Sequence, residues 1–287
     1  MSESRLVQLV KQDNMVLLSV NNPPVNTINA AVRRDLNAAL DELAARAGVS
    51  TRHLSFVENG RSRPSRELTS ALGQALDLPL RERNQLLLAA GFAPGYERTP
   101  LGSEALRGLR RALDHVLAQQ EPFGAVVVDR AWNVLEMNAG ARRVFGRLAP
   151  RSADGLAALG NLITASLHPE ALRSYLVNWV EVAAALVARL QHEVATLPAD
   201  DERHRLLAQV LAMPDVPTSW RGAAPGATDP FLTVHLRGPD LEVRLFSMLT
   251  SIGTPRDVTV DELHVETYFP ADDASERVLR ALAGATP

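Results

Sequence analysis

The densest group of residues able to bind an anionic partner lies between positions 46 and 66. Five arginines occur there, at positions 46, 52, 61, 63 and 66, against the single acidic residue Glu58. Arginine donates bidentate hydrogen bonds to phosphate oxygens and to the O6 and N7 atoms of guanine. Although the chain carries a net charge of −3, this local excess of positive charge favours contact with nucleic acid.

Short helices and turns must position these side chains. Apolar periodicity predicts a helix over residues 27–47, and Gly48 allows a sharp turn after it. Ser50 is a suitable N-cap for a second helix over residues 51–59, which ends at Gly60. Val49 and Leu54 are predicted to point inward and fix the angle between the two helices. This pattern predicts a helix-turn-helix, whose second helix enters the major groove of DNA.

The predicted contacts to DNA fall into two groups. The start of the second helix leaves an outer face that can read base edges, made of Thr51, Arg52, His53 and Ser55. Residues that cap helices or lie in the following loop are predicted to bind phosphate: Ser50, Asn59, Arg61, Arg63 and Ser65. The alternative interpretation is an ordinary solvated helix face and loop.

Beyond residue 103 the pattern changes to mixed helices and strands. A helix is predicted over 104–120, two β-rich runs flank residues 129–131, and Asn138 is placed to cap a helix. Long helices are predicted over 170–197 and 201–212. Three strand-like runs beginning at Phe231, Leu241 and Glu262 precede a short helix over 273–283. This order indicates an α+β domain with an antiparallel sheet.

The second domain contains apolar and polar residues that could line a ligand cavity. The candidates for ligand binding are Trp132, Met137, Phe145, Asn178, Trp179, Arg244, Phe246 and Met248. Asn178 and Arg244 are the candidates for binding a carboxylate, whereas the others would contact an apolar chain. The alternative is that the apolar residues only fill the core.

Residues 41–275 resemble one family. The run GVSTRHLSFVENGRSRPSRE is similar to the XRE (Cro/cI-like) helix-turn-helix of the MmyB-like branch, and the similarity continues through AVVVDRAWNVLEMNAGARRVFG and FSMLTSIGTPRDVTVDELHVETYFPAD. The resemblance implies a mainly α protein, with a Cro/cI-like bundle followed by an α+β, PAS-like domain with a small antiparallel sheet. It also implies a fatty-acid-like ligand for that domain.

The expected organisation has four parts. A strand-like extension covers residues 1–26, the helix-turn-helix domain 27–93, a linker 94–103, and the PAS-like, MmyB-type domain 104–287. The family's GLSQ-like stretch is absent, since residues 37–40 read Asn-Ala-Ala-Leu. Residues 5–40 instead resemble the start of an enoyl-CoA hydratase (crotonase-like) chain, which brings a foreign first helix.

These features predict a ligand-responsive transcription regulator that binds double-stranded DNA as a homodimer in the cytoplasm. The chain has no cysteine, no signal-peptide pattern and no run long enough to span a membrane. No catalytic motif, metal-ligand spacing or cofactor loop is recognised, so neither an enzyme nor a metal site is expected. The alternatives are an interaction or sensor module that has lost DNA binding and, more remotely, a fragment of an acyl-CoA enzyme.

Overall fold

A computed structural model describes most of the chain. The described residues are 7–12, 15–20, 30–148, 150, 152–195, 197–198, 200–222 and 231–284. They divide into two compact units, the first formed mainly by residues up to Arg98 and the second mainly by residues from Thr99 onward.

The first unit combines a hairpin with four helices. Strands β1 (Val7–Gln12) and β2 (Met15–Val20) pair antiparallel, within the strand-like extension predicted for residues 1–26; residues 13 and 14 between them lie outside the described residues. The helices follow in chain order: α1 (Ala30–Arg46), α2 (Thr51–Glu58), α3 (Arg66–Ala75) and α4 (Leu80–Ala89).

The turn between α1 and α2 has the chemistry that its sequence predicts. Gly48 adopts φ +70°, a conformation that residues with a Cβ rarely take. The Ser50 side chain accepts a hydrogen bond from the His53 amide at 3.2 Å and so caps α2. Leu54 is buried and Val49 packs against the same core, which confirms that both point inward. At the other end of α2, Gly60 has φ +67°.

The second unit is built around a five-stranded antiparallel sheet of order β4-β3-β7-β6-β5. Its strands are β3 (Ala125–Val128), β4 (Val134–Met137), β5 (Val234–Arg237), β6 (Glu242–Ser251) and β7 (His264–Pro270). The helices are α5 (Arg107–Gln119), α6 (Ala139–Gly146), α7 (Ala153–Ala158), α8 (Leu162–Leu167), α9 (Trp179–Val194), α10 (Glu202–Leu211), α11 (Val258–Asp261) and α12 (Asp273–Gly284). Short 3₁₀ turns occur at Glu104–Leu106, Leu172–Tyr175 and Thr218–Arg221. The architecture is the PAS-like α+β fold that the sequence predicts.

Strand β3 separates two apolar layers because its side chains alternate between the faces of the sheet. Val126 and Val128 belong to a core that includes Trp132. Ala125 and Val127 belong to a different core, which contains Leu113, Leu117 and other residues. The second core lies under α5, whereas the first lies on the face that carries the long connection from β4 to β5.

That connection differs from the sequence-based prediction. The helix predicted over 170–197 is wrong in its first part, which is a 3₁₀ turn followed by an extended segment; α9 begins only at Trp179. Leu176 forms an antiparallel β-bridge with Leu236, and the Val177 amide donates to the carbonyl of His235 at 2.8 Å. This segment therefore pairs with β5 instead of forming a helix. Helices α7 and α8 were not predicted.

Candidate functional site

The face predicted to read bases is only partly free for such contacts. Arg52 and His53 are exposed at the start of α2. The Thr51 hydroxyl, however, donates to the Asp41 carboxylate at 2.5 Å, and Ser55 accepts hydrogen bonds from the Asn59 amide through its carbonyl and its hydroxyl. Arg52 and His53 are therefore the two exposed residues of the predicted base-reading set, with the Arg52 guanidinium 5.3 Å from the centroid of the Phe56 ring.

The predicted phosphate-binding residues also separate into two kinds. Arg61 and Arg63 are exposed in the loop between α2 and α3, where an extended guanidinium can reach a phosphate. The Ser50 and Ser65 hydroxyls already cap their own helices, Ser65 by accepting from the Leu68 amide at 3.1 Å. In this geometry the two serine hydroxyls order the helix ends, and the two arginines present the exposed positive charge of this segment.

The first helix of the unit is continuous, as the apolar periodicity of residues 27–47 predicts. Helix α1 runs without interruption from Ala30 to Arg46. Its end is anchored in the bundle through buried Leu43 and Ala44, and Arg46 pairs with Asp77 at 2.7 Å. The first helix and the helix-turn-helix residues that follow it therefore belong to one continuous helix.

The second unit contains a largely enclosed apolar cavity of about 340 Å³ between the sheet and helices α8 and α9. Trp132 and Phe145, both predicted to bind ligand, line it. Most of the remaining wall is aliphatic: Leu162, Ile163, Leu172, Leu176, Val182, Leu186, Leu232, Val234, Leu236 and Leu245. The half-exposed aromatic ring of Phe231 also borders the cavity. A chamber of this size and lining is typical of a small-molecule site.

Three predicted ligand residues on β6 do not line this cavity. Side chains alternate along a strand, and the cavity-lining residues are Leu245 and Ser247. Arg244 instead forms an ion pair with Asp272, with 3.3 Å between Nη1 and Oδ2. Phe246 stacks on Phe269 with 5.4 Å between ring centroids, and Met248 is 56% exposed.

The other three predicted ligand residues have structural contacts of their own. Asn178 joins the start of α9 to β5, because its amide donates to the Thr233 carbonyl at 2.6 Å and accepts from the His235 amide at 3.0 Å. The Trp179 ring is covered by the Arg173 guanidinium at 3.9 Å. Met137 packs against the core around Trp132.

A polar group on the sheet wall of the cavity was missed by sequence reasoning. Glu266 lines the cavity and accepts a hydrogen bond from Ser247. Burial raises the pKa of the Glu266 carboxyl, although Ser247 and the positive charge of Arg189 act in the opposite direction. Burial and nearby Glu266 raise the pKa of the Tyr268 phenol well above its usual range, so this cavity residue is neutral.

An arginine and an aromatic ring complete the polar part of the wall. The Arg189 guanidinium lies over the Trp132 ring, with 4.3 Å from Cζ to the centroid, and both side chains line the cavity. Glu193 accepts hydrogen bonds from Arg189 Nε at 3.1 Å and from Trp132 Nε1 at 3.2 Å. The positive charge of Arg189 is therefore already compensated by a carboxylate of α9.

Among the described residues, no group of three or more His, Cys, Asp or Glu side chains is arranged to hold a metal ion. None of the helices in the described part of the chain has the length and apolar character needed to cross a bilayer.

Comparison with known proteins identifies both units. Residues 31–83 match the helix-turn-helix family, and residues 109–282, more than half of the chain, match the MmyB-like transcription regulator ligand binding domain. No curated protein matches the chain. A solved structure described as an RNA-binding light-oxygen-voltage receptor aligns with 96% of this chain and 74% of its own, at 11% identity and a TM-score of 0.24, which is too low to carry an argument. The chain thus belongs to the MmyB-like transcription regulators, with a DNA-binding helix-turn-helix followed by a ligand-binding domain.

Proposed function

We propose that the chain is a sequence-specific DNA-binding regulator that acts in the cytoplasm, and that a small apolar or fatty-acyl molecule in the cavity of the second unit changes its affinity for DNA. The observation that carries the ligand part is the cavity of about 340 Å³ with its mainly aliphatic lining. In this function the chain regulates without catalysing a reaction.

The DNA-binding part rests on three exposed arginines and one exposed histidine of the first unit. Arg52 and His53 project from the first turn of α2, and Arg61 and Arg63 follow in the loop beyond it. Base contacts by the first pair would supply sequence preference, and phosphate contacts by the second pair would set the register on the duplex. Helix α2 has only eight residues, so one copy can read only a few base pairs.

That short reading length supports action as a homodimer. Two-fold dimers of helix-turn-helix proteins place two recognition helices in successive major grooves and read palindromic sites. The proposed ligand would act by binding one arrangement of the regulator more tightly than another, and by linkage DNA would change ligand affinity by the same factor.

Selection from a pool of randomised duplex DNA tests the DNA-binding part directly. We expect the full-length protein to enrich a palindromic site, and the double variant Arg52→Ala, His53→Ala to lose that enrichment while remaining folded. Arg280→Ala is the matched control, because Arg280 is an exposed arginine of α12 that pairs with Glu276. If the folded wild-type protein enriches no sequence, the regulator function is overturned, and an interaction or sensor module that has lost DNA binding takes its place.

A further inference from the structure

The second unit contains a second cavity, which shares no lining residue with the apolar one. It has a volume of about 430 Å³ and lies between the β3–β4 turn and helices α7, α8 and α10. We call it the polar pocket, because its lining includes Asp154, Thr164, His168, Glu202, Arg205 and Gln209. The proposed function uses none of these residues.

The base of the polar pocket is held in place by two asparagines that also line it. Asn161 Nδ2 donates to the Ala131 carbonyl at 2.6 Å and to Asn133 Oδ1 at 3.1 Å, and Asn161 Oδ1 accepts from the Thr164 amide at 3.1 Å. Asn133 Nδ2 in turn donates to the Asp129 carboxylate at 2.9 Å. These amides are occupied by structural contacts, so the pocket is formed before any ligand enters.

Two groups on α8 and at its end remain available to a ligand. The Thr164 side chain is only 7% exposed, yet its hydroxyl has no hydrogen-bond partner within the described part of the chain, whereas buried hydroxyls normally have one. His168 Nδ1 accepts from the Glu170 amide at 3.3 Å, so the imidazole carries its proton on Nε2 and can donate it. A polar molecule in the pocket would satisfy both groups.

The pocket presents charges of both signs. The exposed Arg205 guanidinium and the exposed Asp154 carboxylate form no ion pair with any described residue. They lie on α10 and α7, and α8 packs against both helices. The third charged residue, Glu202, has its Oε1 3.9 Å from Arg130 Nε. A simple anion or a simple cation would therefore meet a like charge, whereas a molecule with both charges can pair with Arg205 and Asp154.

We propose that the polar pocket binds a zwitterionic amino acid or dipeptide with an aliphatic side chain. Its carboxylate pairs with Arg205, its ammonium group pairs with Asp154, and its aliphatic side chain packs on Ala157 and Leu206 of the same lining. This molecule is a second ligand of the regulator, and its binding does not depend on the apolar ligand of the proposed function.

The volume of the pocket sets the size of the probes. One water occupies about 30 Å³ of liquid, and a methylene group is of similar size. The pocket therefore holds roughly fourteen heavy atoms. L-Alanyl-L-leucine has about that size, and L-leucine leaves space for ordered water. The N-acetylated form of each probe lacks the ammonium charge, and the C-amidated form lacks the carboxylate.

Titration of the isotope-labelled full-length protein, followed by its NMR chemical shifts near pH 7, tests the proposal. We expect L-leucine or L-alanyl-L-leucine to bind at least about fivefold more tightly than both of its blocked forms, because each blocked form loses one charge pair. The tighter of the two distinguishes a free amino acid from a dipeptide. No binding of either up to about 10 mM, or equal binding of a blocked form, overturns the proposal.

Two charge variants test the assigned partners. Arg205→Gln should weaken the zwitterion at least about fivefold without weakening its C-amidated form, and Asp154→Asn should weaken the zwitterion without weakening its N-acetylated form. Arg280→Gln and Glu276→Gln, on the exposed surface of α12, are the matched controls and should bind as the wild type does. Equal weakening of the zwitterion and the blocked form by either pocket variant overturns the assignment.

A blocking variant gives a test that keeps every charge. Ala157 is exposed and lines the pocket, so Ala157→Phe adds bulk inside it at little expected cost in folding stability. It should abolish binding of both zwitterions, whereas Leu156→Phe, at the neighbouring exposed position outside the lining, should not. Unchanged binding by folded Ala157→Phe overturns the location of the site, even if a charge variant does not fold.

Discussion

The hydroxyl of Thr51 donates a hydrogen bond to the carboxylate of Asp41, with 2.5 Å between Oγ1 and Oδ1. Thr51 is the first residue of α2 and Asp41 lies on α1, so this bond ties the two helices of the helix-turn-helix together beside their turn. The carboxylate also lies near the N-terminus of α2, where a negative charge is favourable. Thr51 therefore helps to set the position of Arg52 and His53 as well as lying on the face predicted to read bases.

Substitution at this position should separate positioning from reading. We expect Thr51→Val, which keeps the side-chain shape and removes the hydroxyl, to lower the free energy of unfolding by about 1 kcal/mol. Thr51→Ser keeps the donor and should cost less than half as much. Urea unfolding measures the free energy of unfolding of both variants and of the wild type. Equal stability of Thr51→Val and the wild type would mean that the hydrogen bond to Asp41 does not stabilise the protein in solution.

The loop arginines should be visible in the salt dependence of DNA binding. Each phosphate contact releases counterions, so Arg61→Ala and Arg63→Ala should each reduce the magnitude of the slope of log K against log salt concentration by about 0.9. Both residues are exposed, so little change in folding stability is expected. Fluorescence anisotropy with a non-specific duplex measures the slopes. Arg280→Ala provides the reference, and loop variants with its slope would show that these arginines do not contact phosphate.

The Asn138 side chain makes more hydrogen bonds in the second unit than its predicted role as a helix cap requires. Its Oδ1 accepts from the amides of Ala125 and Ala141, both at 2.9 Å, and its Nδ2 donates to the carbonyls of Leu117 and Phe123 at 3.1 and 2.8 Å. The side chain is only 5% exposed, so water cannot replace these partners.

Loss of this side chain should therefore be costly. We expect Asn138→Ala to lower the free energy of unfolding by roughly 3 kcal/mol, because it removes the cap of α6 and leaves buried amides and carbonyls without partners. Asn138→Ser keeps one acceptor for the cap and should lie between Ala and wild type. Thermal and urea unfolding give the order of the three stabilities. A loss of less than about 1 kcal/mol in Asn138→Ala would show that other groups replace the four hydrogen bonds.

Features that depend on neighbouring residues could be predicted from the sequence. Gly48, Ser50 and Gly60 mark the ends of helices through local backbone chemistry, and the described turn and caps agree with them. Asn138 is recognisable as a cap for the same reason. The strands of the sheet could also be located, since each is an apolar run between turn residues.

Features that depend on pairing between residues far apart in the chain could not be predicted from the sequence. The prediction of ligand residues on β6 chose Phe246 and Met248 because they are large and apolar, but only the pairing of β6 with β7 determines which face meets the cavity. Glu266 carried a weak signal, a charged residue within an apolar strand. The helix predicted from residue 170 failed because a contact with β5, far along the chain, holds Leu176 and Val177 extended.

A substitution that fills the cavity should prevent ligand binding and make the affinity for DNA independent of the ligand. Leu186 of α9 lines the cavity, so Leu186→Trp adds bulk where the ligand would lie and should abolish binding of a medium-chain apolar probe such as decan-1-ol. Overpacking costs about 1–3 kcal/mol, so unfolding must confirm that the variant is folded at the assay temperature. DNA affinity should then no longer respond to the probe. Leu156→Trp, at a 63% exposed position outside the cavity lining, is the matched control. Decan-1-ol binding by folded Leu186→Trp would place the ligand elsewhere.

The raised pKa of Glu266 also predicts how stability depends on pH. An acid whose pKa is higher in the folded than in the unfolded protein binds its proton more tightly when folded. Its contribution is therefore fully present below the unfolded pKa of about 4.5 and is lost as pH rises through the folded pKa. His264 acts in the opposite direction, since burial lowers its pKa and its contribution is lost as pH falls below about 6.5.

Comparison of wild type with Glu266→Gln isolates the carboxyl group, because His264 and the charges of Arg189 and Glu193 are present in both proteins. As pH rises from about 4.5 to 7.5, the free energy of unfolding of the wild type should fall relative to that of Glu266→Gln, which cannot ionise. Urea unfolding at several pH values without ligand gives this difference, and Glu276→Gln should show no such trend. A difference that stays constant, or that grows in favour of the wild type, would mean that Glu266 is solvated or fully compensated in the cavity wall.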